Sequence, residues 1–138
     1  MAKGAAKGTL TSRELLRSYR KNEVIFEEGS IGNEMYLVHS GKVVLSTAQK
    51  KGEHIQLAVL NPGDFFGEMA LVDDSPRSAT TVALADRTEL IVLDRAKFLF
   101  MVRHQPEFTL SLMHTLCQRI RDLNDQLSRK EEQVGETV

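Results

Sequence analysis

The sequence predicts an α+β fold that is mainly β: an antiparallel, jelly-roll-like β-roll with a short N-terminal helix, a short inserted helix and two C-terminal helices. Three observations predict it. Turn signals recur about every 8–12 residues through the middle of the chain, the rhythm of sandwiches and barrels. Gly29, Gly32, Gly41, Gly52 and Gly63 close apolar runs, where a positive φ is easiest for glycine. From Asp94 onward the apolar period changes from strand-like to helical.

Residues 1–10, with Ala, Gly and Lys, read as a flexible tail. Residues 12–19 are expected as a short helix, with Thr11 or Ser12 as its N-cap and Leu15 and Leu16 facing inward. Strands are expected at residues 23–26, 35–38, 42–47, 54–60, 78–84 and 89–93. Lys50-Lys51-Gly52 turns the third strand into the fourth. Asn61-Pro62-Gly63-Asp64 is a strong turn signal, and residues 67–72 are long enough for a short helix between strands. Asp94 suits the cap of a helix holding Lys97, Phe98, Leu99 and Met101. Pro106 suits the first turn of a longer helix to about Lys130. One domain over residues 11–131 follows, with a flexible tail at 132–138.

Bulk properties narrow the function. A chain of 138 residues with 41% hydrophobic and 27% charged residues is long enough, and apolar enough, for one packed core. The net charge of −1 argues against direct nucleic-acid binding, so any anion site has to be built locally. The single cysteine, Cys117, argues against a disulfide framework and reads as a packed thiol. No apolar run reaches the length of a membrane span, and the start lacks the apolar stretch of a signal peptide, so a cytoplasmic protein is expected. His39, His54, His104 and His114 have no metal-ligand spacing, and no local arrangement suggests a catalytic triad. No catalytic residue, metal or cofactor is expected.

The chemistry concentrates in residues 63–80. A helix starting near Gly67 would expose the amides of Gly67, Glu68 and Met69, and amides at a helix start attract anions. Arg77, after the stiff Pro76, can grip two phosphate oxygens at once, and Ser78 can add a hydroxyl and an amide. Glu68 is the discriminating group. A carboxylate beside a phosphate site is repulsive unless it accepts hydrogen bonds from a sugar hydroxyl or orients the arginine. Together these groups describe a nucleotide whose phosphate lies close to its ribose. Asp73 and Asp74 read as a solvated turn.

The run Phe66-Gly67-Glu68-Met69-Ala70-Leu71, followed by Pro76-Arg77-Ser78-Ala79-Thr80, resembles the phosphate-binding cassette of the cyclic-nucleotide-binding domain family. The resemblance covers roughly residues 15–130, and Gly29, Gly41 and Gly63 fall at that family's turn glycines. It implies a module that binds cAMP or cGMP and is no enzyme. In it Glu68, with the Gly67 amide, would bind the ribose 2′-hydroxyl. Arg77, Ser78 and the Ala79 amide would bind the cyclic phosphate. Leu45, Leu57 and Phe66 would be core residues lining the apolar pocket. Ser78, where several cGMP-preferring relatives carry Thr, favours cAMP.

Leu116, Ile120, Leu123 and Leu127 form a heptad stripe that Val134 continues. It reads either as a seam, packing on the roll or joining a homodimer, or as a lid that moves when nucleotide binds. In the resembling family Leu123 and Asn124 fall at base-capping positions, so Asn124 would hydrogen-bond the adenine of its own or a partner subunit. Arg119, Arg121, Arg129 and Lys130 alternate with Asp122, Asp125, Glu131 and Glu132 and read as a solvated face. Three functions compete: a sensor whose helices carry the signal to an unidentified downstream protein, a metal-dependent cupin-like enzyme, and a ligand-free docking unit. The histidine pattern argues against the second. The intact Glu68 and Arg77 argue against the third. The sequence carries no helix-turn-helix pattern, channel pore or kinase segment, so a stand-alone sensor or a fragment of a longer protein is expected.

Overall fold

Turn chemistry and strand periodicity are realised as a two-sheet roll. The computed structural model describes residues 15–48 and 52–136. Its strands are β1 (Leu16–Tyr19), β2 (Val24–Phe26), β3 (Glu34–Ser40), β4 (Val43–Ala48), β5 (His54–Leu60), β6 (Phe65–Phe66), β7 (Thr80–Ala83) and β8 (Thr88–Asp94). The helices are α1 (Glu68–Val72), α2 (Arg95–His104) and α3 (Pro106–Glu136). Every paired strand is antiparallel, in two sheets of order β1-β8-β3-β6 and β2-β7-β4-β5. Tyr19, Tyr36, Val38, Phe66, Leu90 and Val92 from one sheet meet Val43, Leu60 and Ala83 from the other in a buried core. Each such side chain contributes on the order of 1.5–3 kcal/mol through burial. The described residues divide into two units, the roll through Leu99 and a helical unit from Phe100.

Local chemistry explains the joints. Asp64 N donates to Asn61 O at 2.9 Å, and the Asp64 carboxylate accepts from Asn61 N at 2.9 Å. Pro62 and Gly63, with Gly63 at φ 96°, supply the two middle positions of a type II turn. Asp94 Oδ1 accepts from Lys97 N at 2.8 Å and caps α2 as expected. Pro106 opens α3, whose backbone runs past Lys130 to Glu136, through part of the stretch expected as a tail. The expected tail at residues 1–10, the proposed caps Thr11 and Ser12, and Lys50 and Lys51 lie outside the described residues.

Several expectations are corrected. Residues 16–19, expected as helix, are strand β1, in register from Leu16↔Ile91 to Tyr19↔Thr88. A helix this short is marginal on its own, and pairing with β8 supplies backbone partners that it lacks. The two-residue β6 was not anticipated; it pairs Phe66 with Tyr36 and Phe65 with Leu37. Strand β7 starts at Thr80 rather than residue 78, because the Arg77 backbone already pairs with the 29–30 loop: Gly29 N donates to Arg77 O at 2.7 Å and Arg77 N to Ser30 O at 2.8 Å. Gly29, Gly41, Gly52 and Gly63 have positive φ, whereas Gly32 does not. Cys117, on α3, is exposed rather than packed. Among the described residues no helix is long and apolar enough to cross a membrane.

Candidate functional site

The site is assembled by β3 and β6 from one sheet and β2 from the other. Pairing of Phe66 with Tyr36 puts Gly67, the next residue, against the start of β3. Gly67 is the N-cap of α1 and adopts a left-handed conformation, φ 80° and ψ 8°. A Cβ there would lie 2.8 Å from Arg77 Nη1 and 3.3 Å from Glu34 O, so both the backbone angle and the space require glycine. No side chain caps the first turn of α1. Glu68, half-buried, begins the helix; Met69 is exposed, and Ala70 and Leu71 are buried.

Arg77 is the unusual member. It is 6% exposed, although an arginine is rarely buried without a partner for its charge. Nη1 donates to Gly67 O at 3.0 Å, and the guanidinium carbon lies 4.1 Å above the centre of the Phe26 ring and 5.7 Å from that of Tyr36. Nε is buried and makes no hydrogen bond. Burial pushes the guanidinium below its ordinary pKa, and the nearby Glu34 and Glu68 carboxylates oppose that shift. The acceptor of the Nη1 bond is the Gly67 carbonyl, not the Glu68 carboxylate expected to orient Arg77.

Beneath the guanidinium lies an aromatic floor. Tyr36 and Phe66 stack at 5.0 Å and 19°, and Phe26 leans on both, 5.8 Å from each. The Tyr36 hydroxyl donates to Glu34 Oε1 at 3.0 Å, and Glu34 also takes both ends of the Arg17 fork, at 3.2 and 3.3 Å. Burial first, then the Glu34 charge, raises the Tyr36 hydroxyl well above the usual range. The Glu34 hydrogen bond likewise raises Arg17.

The structure brings Phe66, Gly67, Glu68 and Arg77 together. Ser78 is exposed and Ala79 buried, both directly after Arg77. Leu45 packs partly buried against the core. Leu57 does not: it is 55% exposed. Ala58 and Leu60 face the core, so Leu57 and Val59, which alternate with them, lie on the outer face of β5 beside a register shift at Leu45/Ser46. Asn124 lies exposed on α3, in the helical unit. Asp73 and Asp74 form a solvated turn: the Asp73 carboxylate accepts from Ser75 N at 3.1 Å, and exposed Asp74 pairs with Arg95 at 2.8 Å. Among the described residues no group of three or more His, Cys, Asp or Glu is placed to hold a metal ion.

Phe26, Gly32, Glu34 and Tyr36 are absent from the sequence-derived site. Their nearness to Arg77 comes from strand pairing between distant segments, and no local spacing signals it. Thr81 was missed too. It is fully buried with an unpartnered hydroxyl, in register with Phe26 and Leu45.

Comparison with known proteins shows the family and the fold. Residues 16–105 match the family model described as the cyclic nucleotide-binding domain. The chain is 40% identical over 111 residues to the cyclic AMP receptor protein of Thermus thermophilus, covering 80% of this chain and 51% of that protein. It thus spans about half the length of that relative. The crystal structure of Thermus thermophilus catabolite activator protein superposes with a TM-score of 0.74 at 40% identity, over 82% of this chain and 53% of that one. The EAL enzyme Bd1971 is similar in its cAMP-bound form (TM-score 0.59, 32% identity, 85% of this chain and 31% of that one). Its cGMP-bound form is similar as well (TM-score 0.57, 33% identity, 77% and 28%).

Proposed function

The chain belongs to the cyclic nucleotide-binding domain family, and from that premise we propose that it is a cAMP sensor without catalysis of its own. One observation carries the reading: a buried guanidinium, Arg77, held over an aromatic floor beside Gly67 and Glu68, with a buried donor left unpaired. A buried donor without an acceptor is costly, by about 1–3 kcal/mol, and a phosphate oxygen is an acceptor of the right charge. In this reading Arg77, Ser78 and the Ala79 amide hold the cyclic phosphate. Glu68 and the Gly67 amide hold the ribose 2′-hydroxyl, and the Met69 amide adds to the helix start. Phe66 and Leu45 form the apolar wall, and Leu57 reaches the ligand only from its exposed position on β5.

The Thermus relative, a cyclic AMP receptor protein, and Ser78 after the arginine favour cAMP. The second reading, cGMP, is favoured by the cGMP-bound form of Bd1971. Leu116, Ile120, Leu123 and Leu127 are exposed along α3, 38–60% each, which suits a seam with a second copy. Nucleotide binding would bias that helix, with Asn124 contributing to the base, and so inform a downstream protein in the cytoplasm. A competition assay with cAMP, cGMP and cyclic dinucleotides tests the proposal. Displacement by cAMP at the lowest concentration is expected; displacement by none of them would overturn it.

A further inference from the structure

Resting on the cyclic-nucleotide reading, we infer that Phe26 is a positioning residue: together with Gly32 it forms the slot that aims the Arg77 fork at the phosphate. The guanidinium carbon sits 4.1 Å above the Phe26 ring centre. Also against it is Gly32, whose φ is not positive, so its backbone angle does not require glycine. Space does. A Cβ on Gly32 would collide with Nε, Nη2 and Cζ of Arg77. The third wall is the Gly67 carbonyl, which takes Nη1 at 3.0 Å. A ring face, a bare backbone and one carbonyl, each in close contact, leave the guanidinium little freedom.

The choice of a ring has a chemical consequence. A carboxylate in direct contact would hold the guanidinium as firmly, but it would also compete with an incoming phosphate. The face of an aromatic ring attracts a cation without filling its N–H donors. Phe26 thus stabilises the buried charge while Nε stays without an acceptor. The ring is itself fixed, leaning on Tyr36 and Phe66 at 5.8 Å. Tyr36 is in turn tied through Glu34 to Arg17.

The test is a cycle of variants read by cyclic-nucleotide affinity. Phe26→Leu, which keeps the apolar bulk but removes the ring face, is expected to weaken cAMP about tenfold, the effect of a desolvated cation–π contact. Phe26→Tyr is expected to restore affinity to within about twofold, because the face returns. Gly32→Ala is expected to weaken binding at least as much as Phe26→Leu. In an Arg77→Met background, Phe26→Leu is expected to cause no further loss at millimolar nucleotide. A purely structural role would give the same loss in both backgrounds and no rescue by tyrosine, and either result overturns the inference. If the wild type binds no cyclic nucleotide, the functional reading fails on its own. The slot is then decided by urea unfolding of the ligand-free wild type, Phe26→Leu, Arg77→Met and the double variant: non-additive stabilities support it and additive ones overturn it.

Discussion

Two regions of the molecule break the ordinary rule of burial in opposite directions. In the roll, Arg77 is charged and 6% exposed; on α3, Leu123 is apolar and 58% exposed. Most of the remaining chain behaves as expected, with apolar Phe65, Phe66, Val43 and Leu90 inside. A buried charge lowers stability unless something compensates, and an exposed apolar stripe invites association. The contrast therefore separates two tasks. On the proposed reading, the cassette region receives an anion and the helix another apolar face. The two features lie in different units of the same chain.

The largest expected effect is at the buried charge. Arg77→Ala should weaken cAMP by at least ~2 kcal/mol, about thirtyfold, as read by calorimetry. Unchanged affinity would remove the cassette from the comparison. Next, Leu123→Glu should shift a self-associated form toward monomer in sedimentation, with little change in unfolding midpoint because the side chain is already exposed. A monomeric wild type would leave the stripe without its partner. Glu68→Ala should weaken cAMP by about 1 kcal/mol or more and leave 2′-deoxy-cAMP nearly unaffected; equal losses would show that Glu68 does not read the hydroxyl.

The smallest effect concerns Glu28, where the sheet edge is tied down. The Ala48 amide and then the Thr47 hydroxyl, donating at 3.0 and 2.8 Å, hold its carboxyl below the usual pKa. A depressed folded-state pKa means a contribution present above the unfolded value and lost as pH falls through the folded one. The stability advantage of wild type over Glu28→Gln should therefore shrink as pH drops below about 4.3, the ordinary glutamate value. A difference independent of pH would show that the bonds do not depend on the charge.

Much of this was legible in the sequence, and the failures have a common cause. The 54–60 strand, the Pro62-Gly63 turn, the Asp94 cap and the Gly67–Arg77 cassette are written in neighbouring residues, so local chemistry suffices. Strand β1 was misread because its partner, β8, lies far along the chain. Leu57 was placed in the pocket by resemblance, whereas it is the neighbouring Ala58 and Leu60 that face the core. Gly32 was assigned to a turn by residue type, while its reason is the Arg77 guanidinium packed against it. The two most informative site residues, Phe26 and Tyr36, look in sequence like ordinary strand residues. Only the pairing of distant strands gives them a charge to face.

The central claim is that Arg77 grips a phosphate, and one titration tests it most directly: cAMP against adenosine, each added to the wild-type protein in a calorimeter. The account requires saturable heat with cAMP and none with adenosine at the same concentration. Equal binding of both, or no heat with cAMP at millimolar concentration, would contradict it.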